Sequence, residues 1–134
     1  MPDCLFCKII AGEIPSHKIY EDDRAVAFLD IRPINPGHTL IVPKAHAADL
    51  RESSVEDAAH AIEVVKKLAP AILAAVGADA FNFSANTGAA AGQVIFHTHF
   101  HVMPRFGGDG YKPWVREGEA GDLASVADRI RKNL

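Results

Sequence analysis

The chain has few cysteines, a single tryptophan and no long apolar run. Only two of its 134 residues are cysteine, too few for the disulfide framework that stabilises small secreted domains. Its apolar runs are far shorter than the ~20 residues that a membrane helix needs. Residues 1–10 carry Asp3 and both cysteines in place of a signal sequence. We therefore expect a cytoplasmic protein with no membrane partner.

An excess of positive charge is also missing. The chain contains fourteen Lys and Arg and seventeen Asp and Glu, which gives a net charge of -3 at pH 7 with neutral histidines. Because polynucleotide binding usually requires a basic face, we expect no nucleic-acid partner. A mononucleotide needs less, since backbone N–H groups and a few side chains can hold one phosphate. The length and the 49% hydrophobic content suit one domain over residues 1–134.

The most informative segment is QVIFHTHFHVM, residues 93–103, in which histidine recurs at every second position. Successive side chains of a strand point to opposite faces, so a strand here would place His97, His99 and His101 on one face. Each neutral imidazole carries a donor and an acceptor that must be satisfied, which makes chance burial of three improbable. Two chemistries stay open, a metal site and a nucleophilic histidine flanked by helper histidines.

Two further motifs bear on chemistry. Cys4 and Cys7 form a CxxC pair, which suits a redox pair, half of a zinc site or two reduced thiols. A redox pair needs a preceding strand, for which the three residues before Cys4 leave no room. Residues 86–93, NTGAAAGQ, lead directly into the histidine segment. Small residues let backbone N–H groups approach an anion, so this loop could cradle a phosphate.

Strand patterns recur in the remaining chain. Alternating apolar residues bounded by turn residues are typical of strands. They predict a hairpin over residues 17–21 and 24–30, a third strand over 38–43 and a fourth over 80–85. With the histidine segment as the fifth strand, we expect an α+β fold built on a five-stranded antiparallel sheet, with helices largely on one face.

Helix patterns occur in three further segments. A short helix or turn is expected near residues 4–10. Apolar residues at spacings of three and four predict a long helix over residues 53–76, opened by a Ser53 and Glu56 capping box and ended by Gly77. The same spacing predicts a final amphipathic helix over residues 122–134.

Four segments in this order resemble the histidine triad (HIT) family of nucleotide hydrolases and transferases, in its bacterial Hint-like branch. They are CLFCKIIAGEIP, FLDIRPINPGHTLIVPKAH, NTGAAAGQ and HTHFHVM. The resemblance covers most of the chain and implies a single HIT domain over residues 1–134, a purine nucleotide substrate and a homodimer. It also implies that His99 is the nucleophile, that His101 contacts the phosphate oxygens and manages the leaving-group proton, and that His38 helps to orient the triad.

The resemblance also assigns a nucleotide pocket and a metal site. It implies apolar contacts to the base, a ribose contact from Asp30 and phosphate contacts from the loop. The base residues would be Leu5, Phe6, Phe28, Ile31 and Leu40, and the phosphate residues Asn86, Gln93 and the backbone near Gly92 and Val94. The eukaryotic branch commonly has serine where Val94 stands, so a hydroxyl is missing here. A structural zinc ion would be held by Cys4, Cys7, His46 and His97.

The activity that this resemblance implies is cleavage of a nucleoside 5'-phosphoramidate, or a related nucleotide such as an AMP derivative, at the α-phosphate. The reaction would pass through a nucleotidyl-histidine, which divides one difficult step into two easier ones. Two alternatives stand beside it. One is a zinc-dependent hydrolase in which the triad binds a catalytic metal, and the other is a non-catalytic nucleotide-binding scaffold.

Overall fold

Helices and strands follow one another in the order that the sequence patterns predict. A computed structural model describes residues 3–114 and 116–134 of the chain. Its helices are α1 (Leu5–Ile10), α2 (Val55–Val76) and α3 (Leu123–Lys132), with a 3-10 turn at Ala89–Ala91. Its strands are β1 (Lys18–Glu21), β2 (Ala25–Leu29), β3 (Thr39–Pro43), β4 (Ala80–Ser84) and β5 (Phe100–Arg105). Among the described residues, no helix combines the length and the apolar character that crossing a membrane requires.

The strands form one five-stranded antiparallel sheet in the order β1-β2-β3-β5-β4. The expected α+β fold is therefore confirmed. Strands β2 and β3 are almost wholly buried, because each has a strand on both sides and side chains packed on both faces. Their near-continuous apolar sequences, AVAFL and TLIVP, suit burial on both faces.

Two apolar clusters cover the two faces of the sheet. On one face, Ile41 and Val102 pack against Val65 and Ile72 of α2, among other residues. On the opposite face, Phe28, Leu40 and their neighbours pack against Phe6 and Ile9 of α1. The long helix α2 thus covers one face and the short α1 packs on the other, so the expectation of helices largely on one face holds for α2 but not for α1. Helix α3 has no buried residue.

Helix α2 begins one residue later than the predicted capping box. The side chain of Ser54, not that of Ser53, accepts a hydrogen bond from the backbone N–H of Asp57 at 3.0 Å. Ser53 instead shares a 2.6 Å hydrogen bond with Thr98, which ties the start of the helix to the histidine segment. Gly77 ends the helix in the left-handed conformation, at φ 71°, as predicted.

The turn between β2 and β3 depends on Gly37. Its φ of +88° favours glycine, and a Cβ atom built there would lie 3.0 Å from Val76 Cγ1 and 3.2 Å from Pro104 Cγ. The turn therefore packs directly on the end of α2 and on β5. This close approach fixes the position of His38, the next residue.

The histidine segment is a regular strand only in its second half. Strand β5 begins at Phe100, and residues 93–99 lie outside any strand. The neighbouring β3 ends at Pro43, which has no N–H, and Thr98 N–H donates to Ala47 O beyond that strand's end. Val94 and Phe96 are exposed, so the expected alternation of buried and cleft-facing side chains holds only from Thr98 onward.

Candidate functional site

A cavity of about 540 Å³ lies between α1, the middle of the sheet and the loop that precedes the histidine segment. Its lining includes His99, His101 and all ten residues that the family resemblance assigns to nucleotide binding. These ten are Leu5, Phe6, Phe28, Asp30, Ile31, Leu40, Asn86, Gly92, Gln93 and Val94. Pockets that are mostly apolar with a few convergent polar groups are typical of small-molecule sites.

Strand register explains why distant residues meet in this cavity. Phe28 of β2 lies opposite Leu40 of β3, and Leu40 lies opposite His101 of β5. On the far side of His101 the next neighbour is Ser84 of β4. Laterally paired residues share one face of a sheet. The row therefore runs from an apolar floor directly to an imidazole.

His99 presents a free ring nitrogen to the cavity. Its Nδ1 lies 2.7 Å from the backbone carbonyl oxygen of His97, and because a carbonyl only accepts, Nδ1 carries the proton and donates it. Nε2 then holds a lone pair. Burial lowers the pKa of His99 below its usual value, so the ring is neutral at pH 7. Phe6 meets the ring edge to face at 5.0 Å and limits its rotation.

His38 and His101 are joined by a hydrogen bond, and this network determines which nitrogen of each ring carries the proton. The backbone N–H of Ile34 donates to His38 Nδ1 at 3.0 Å, which places the proton of a neutral His38 on Nε2. That nitrogen lies 2.9 Å from His101 Nδ1 and donates to it. His101 therefore carries its own proton on Nε2. Burial, with the neighbouring His99 and His38 rings, lowers the pKa of His101 to about 4.

The ligand atoms of Asp30, His38 and His101 lie close enough together to suggest a metal, all within 4.8 Å of one another. Hydrogen bonds already occupy both nitrogens of His38 and one nitrogen of His101, however. Asp30 Oδ1 accepts from the N–H of Arg32 at 2.8 Å, and Asp30 Oδ2 lies 3.6 Å from His38 Nε2. Since the Ile34 N–H occupies His38 Nδ1, a metal here would have to displace the proton that joins the two rings.

The loop over residues 86–93 is held in shape by Gln93. The buried Gln93 amide donates to Ala48 O and to Ile95 O, and its oxygen accepts from the N–H of Gly88 at 2.8 Å. Both of its amide hydrogens are thus used inside the protein. A phosphate would find other donors in the same loop. Among the described residues, neither the Asn86 amide nor the backbone N–H of Val94 has a hydrogen-bond partner.

Cys4, Cys7, His46 and His97 form a separate group, with their ligand atoms within 4.8 Å of one another. The separations from His97 Nδ1 are 3.4 Å to Cys4 Sγ, 3.6 Å to Cys7 Sγ and 3.1 Å to His46 Nδ1. A zinc tetrahedron with ordinary bond lengths has edges of roughly 3.3–3.8 Å. Both sulfur separations lie in this range and the separation of the two histidine nitrogens is slightly shorter, so the donor set and its spacing fit zinc closely.

His97 is oriented for such a metal by its other nitrogen. Nε2 donates to the carbonyl of Pro43 at 2.7 Å, so Nδ1 is unprotonated and faces the cysteines. Metal-binding histidines are commonly fixed in this way. The three triad histidines do not share one group of ligand atoms: His97 belongs with the cysteines, and His101 with His38 and Asp30. This arrangement does not favour a catalytic metal on the triad.

Sequence reasoning missed two features of the site. The first is the backbone N–H of Ile34, which sets the tautomers of His38 and His101 and leaves no side-chain signal. The second is a larger cavity of about 940 Å³ on the other side of His101 and Asn86, lined partly by Arg105, Lys112 and Arg116. The concentration of basic residues shortly after the triad was the signal available for it.

Comparison with known proteins agrees with this geometry. The model of the HIT domain matches residues 11–108. The chain belongs to the HIT family. Adenylylsulfatase HINT3 of Arabidopsis thaliana is 50% identical to this HIT protein over 103 residues, which cover 77% of the chain and 52% of the Arabidopsis protein. The match thus spans about half of that relative's length.

Solved structures extend the likeness to nearly the whole HIT chain. SMU.412c from Streptococcus mutans UA159 superposes with a TM-score of 0.92 at 41% identity, covering 99% of this chain and 86% of the other. A zinc-bound histidine triad family protein from Mycobacterium smegmatis superposes with a TM-score of 0.80 at 35% identity, covering 99% of both chains. The predicted family and the HIT fold are thereby confirmed.

Proposed function

We propose that this HIT protein is a nucleotide hydrolase or nucleotidyl transferase that cleaves a nucleoside 5'-phosphoramidate, or a related nucleotide, at the α-phosphate. The observation that carries the proposal is the state of His99. Its Nδ1 is bound to the His97 carbonyl, and its Nε2 lone pair faces a cavity of a size that holds a small ligand. A neutral imidazole with its far nitrogen fixed is the form that can attack phosphorus.

The reaction proceeds in two displacements. His99 Nε2 forms a bond to the α-phosphorus, and the bond from phosphorus to the leaving group breaks, with the electron pair departing on that group. The product is a nucleotidyl-His99. A water oxygen then bonds to phosphorus, the bond to Nε2 breaks, and the nucleoside monophosphate leaves. An amine leaving group takes up a proton as it departs, and the attacking water gives one up.

The neighbours of His99 stabilise the charge that develops on phosphate. His101 Nε2–H donates toward the cavity, because the His38 proton occupies the other His101 nitrogen. The Asn86 amide and the Val94 N–H supply further donors from the loop. Donors fixed in place before the reaction stabilise a transition state without reorganisation, and removing one typically costs about 10²–10³ in kcat.

The pocket residues support a nucleoside as the bound group. The apolar floor built by Phe28 and Leu40 suits a base, and the Asp30 carboxylate can accept from ribose hydroxyls. The name adenylylsulfatase on one relative supports an adenine nucleotide, and hence a purine. That relative's match also supports leaving groups other than amines.

We also propose that the Cys4, Cys7, His46 and His97 site holds a structural zinc ion. The donor set is complete, and the zinc-bound relative from Mycobacterium smegmatis supports it. Four protein ligands would leave no position for a reacting water, so these residues would hold a structural ion that joins α1 to the histidine segment and would take no part in the displacement. The fixed His97 backbone in turn holds the carbonyl that orients His99.

A homodimer is the proposed assembly. Strand β4 is an edge of the sheet with Phe81 exposed, and the apolar side of α3, including Leu123 and Ile130, is exposed in the single chain. Exposed sheet edges are usually paired or covered.

The test is intact-mass spectrometry of the protein mixed with adenosine 5'-phosphoramidate and quenched in alkali, where phosphohistidine survives. Wild type should gain the mass of one adenylyl group, located by peptide mapping at His99, and His99→Ala should gain none. His101→Ala serves as the matched control, since it removes a triad imidazole but keeps the nucleophile, and it should still form adduct slowly. Nucleotide binding without adduct or turnover would support a non-catalytic scaffold instead.

A further inference from the structure

The second cavity borders the reacting centre. It has a volume of about 940 Å³ and is lined by β4, β5 and the segment that follows β5. His101 and Asn86 line both this cavity and the first one, whereas His99 lines only the first. The two cavities therefore meet at the residues that would surround the phosphate.

Its lining is positively charged. Arg105, Lys112 and Arg116 line the cavity, and none of the described lining residues is a carboxylate. Arg105 donates to both carboxylate oxygens of Asp109, at 3.0 and 2.7 Å, so its charge is balanced. Within the described part of the chain, Lys112 and Arg116 have no carboxylate partner. Two uncompensated cations thus face the cavity.

The geometry of nucleophilic displacement at phosphorus relates the charges of Lys112 and Arg116 to the proposed reaction. In an in-line attack on phosphorus, the leaving group departs from the side opposite the nucleophile. With His99 in the first cavity and the phosphate held beside Asn86 and His101, the opposite side is the second cavity. We infer that the second cavity is the leaving-group subsite, and that Lys112 and Arg116 select leaving groups that carry a negatively charged oxyanion, such as a carboxylate, sulfate or phosphate. This inference rests on the proposed function.

The expected selectivity for a charged leaving group can be estimated from the energies of exposed ion pairs in proteins. Each exposed cation favours a nearby anion by about 1.5- to 5-fold, and the interaction is screened by salt because the Debye length is only ~10 Å at 0.1 M. Selectivity from two cations should thus be modest, additive and sensitive to ionic strength. A leaving group with a positive charge should be disfavoured by a similar factor.

The test uses three adenosine 5'-phosphoramidates whose amines have the same three-carbon length: propylamine, 3-aminopropanoate and 1,3-diaminopropane. Wild type should show the highest kcat/KM for the carboxylate, an intermediate value for propylamine and the lowest for the ammonium. In Lys112→Gln/Arg116→Gln, the carboxylate-to-propylamine ratio should fall by roughly fivefold. Lys66→Gln, which removes an exposed cation on α2, should leave the ratio unchanged.

Binding gives a second measurement that needs no turnover. Trp114 is the chain's single tryptophan and lines this cavity, so its fluorescence reports on occupancy. Inorganic pyrophosphate added in the presence of AMP should change the fluorescence saturably in wild type and far more weakly in the double variant. If all three substrates are cleaved at equal rates, the leaving-group inference is wrong although the proposed function stands. If none is cleaved, the proposed function fails, and the fluorescence titration alone then decides whether the cavity binds anions.

Discussion

At the scale of single residues, backbone groups determine which ring nitrogen of each site histidine carries the proton. The His97 carbonyl sets the tautomer of His99, and the Ile34 N–H sets those of His38 and His101. Both are backbone groups and do not depend on a particular side chain. Substitutions at Ile34 that keep its N–H in place should therefore leave the tautomers of His38 and His101 unchanged. The reactivity that we propose for His99 follows from where these protons lie.

The first prediction concerns the titration of His101. Its pKa lies at about 4 in the folded protein, against about 6.5 for an ordinary histidine. The unfolded chain therefore binds this proton first as the pH falls, so the stability contributed by the neutral ring is complete above pH 6.5 and is lost between pH 6.5 and 4. NMR titration of the ring resonances should show His101 still neutral at about pH 5.5. A His101 titration midpoint near pH 6.5 would contradict the hydrogen bonding assigned to His38 and His101.

The second prediction concerns the proposed zinc site. Burial, followed by the neighbouring Cys4, raises the pKa of the Cys7 thiol, so metal binding must displace a proton and should weaken as the pH falls. Free zinc at a hundred times its Kd would stabilise the fold by about 2.7 kcal/mol. Chelation should therefore lower Tm by several degrees, and Cys7→Ser should lose the response to zinc. A Tm that ignores both zinc and chelator would contradict the site.

At the scale of elements, Gly37 links the turn before His38 to the end of α2. Gly37→Ala combines a strained positive φ with an overlap at Val76, and should cost about 2–4 kcal/mol of unfolding free energy. Gly12→Ala is the matched control, because its φ is +81° but nothing lies within 4 Å of the added Cβ. It should cost only about 1–2 kcal/mol. Equal losses in urea unfolding would show that the packing at Gly37 is unimportant.

Sequence patterns predicted helices and strands correctly where the apolar residues keep one spacing throughout the segment. Strands β2 and β3 and helix α2 are such cases, and their bounds differ from expectation by one or two residues. The histidine segment follows two rules: it pairs as a strand from Phe100, but before that its backbone bends so that His97 reaches Pro43 and the cysteines. A period of two predicts the shared side of the histidines but not this bend, which depends on where β3 ends.

At the scale of the whole molecule, the pocket residues come from segments far apart in sequence, and a family resemblance located them where composition could not. The division of helices between the two faces was not predictable from helix patterns, since α1 is too short to show a stripe. The basic residues after the triad are visible in the sequence, but the cavity that they line was not predictable, because it depends on how the segment after β5 folds back beside His101.

The proposed homodimer gives the prediction at this scale. Sedimentation equilibrium should show a wild-type dimer, and Phe81→Lys should shift it toward monomer by placing a charge on the exposed edge of β4. Ile19→Lys, at a similarly exposed position on the opposite edge strand β1, should leave the dimer intact. A wild-type monomer at all concentrations would rule the assembly out.

The central claim is that His99 bonds covalently to phosphorus, and the stereochemical course of hydrolysis tests it most directly. Each in-line displacement inverts phosphorus, so a reaction through nucleotidyl-His99 inverts it twice. A substrate with one configuration of sulfur at the α-phosphorus, hydrolysed in ¹⁸O-water and analysed by phosphorus NMR, should give a product with retained configuration. Inversion would mean a single attack by water, and would contradict the role assigned to His99.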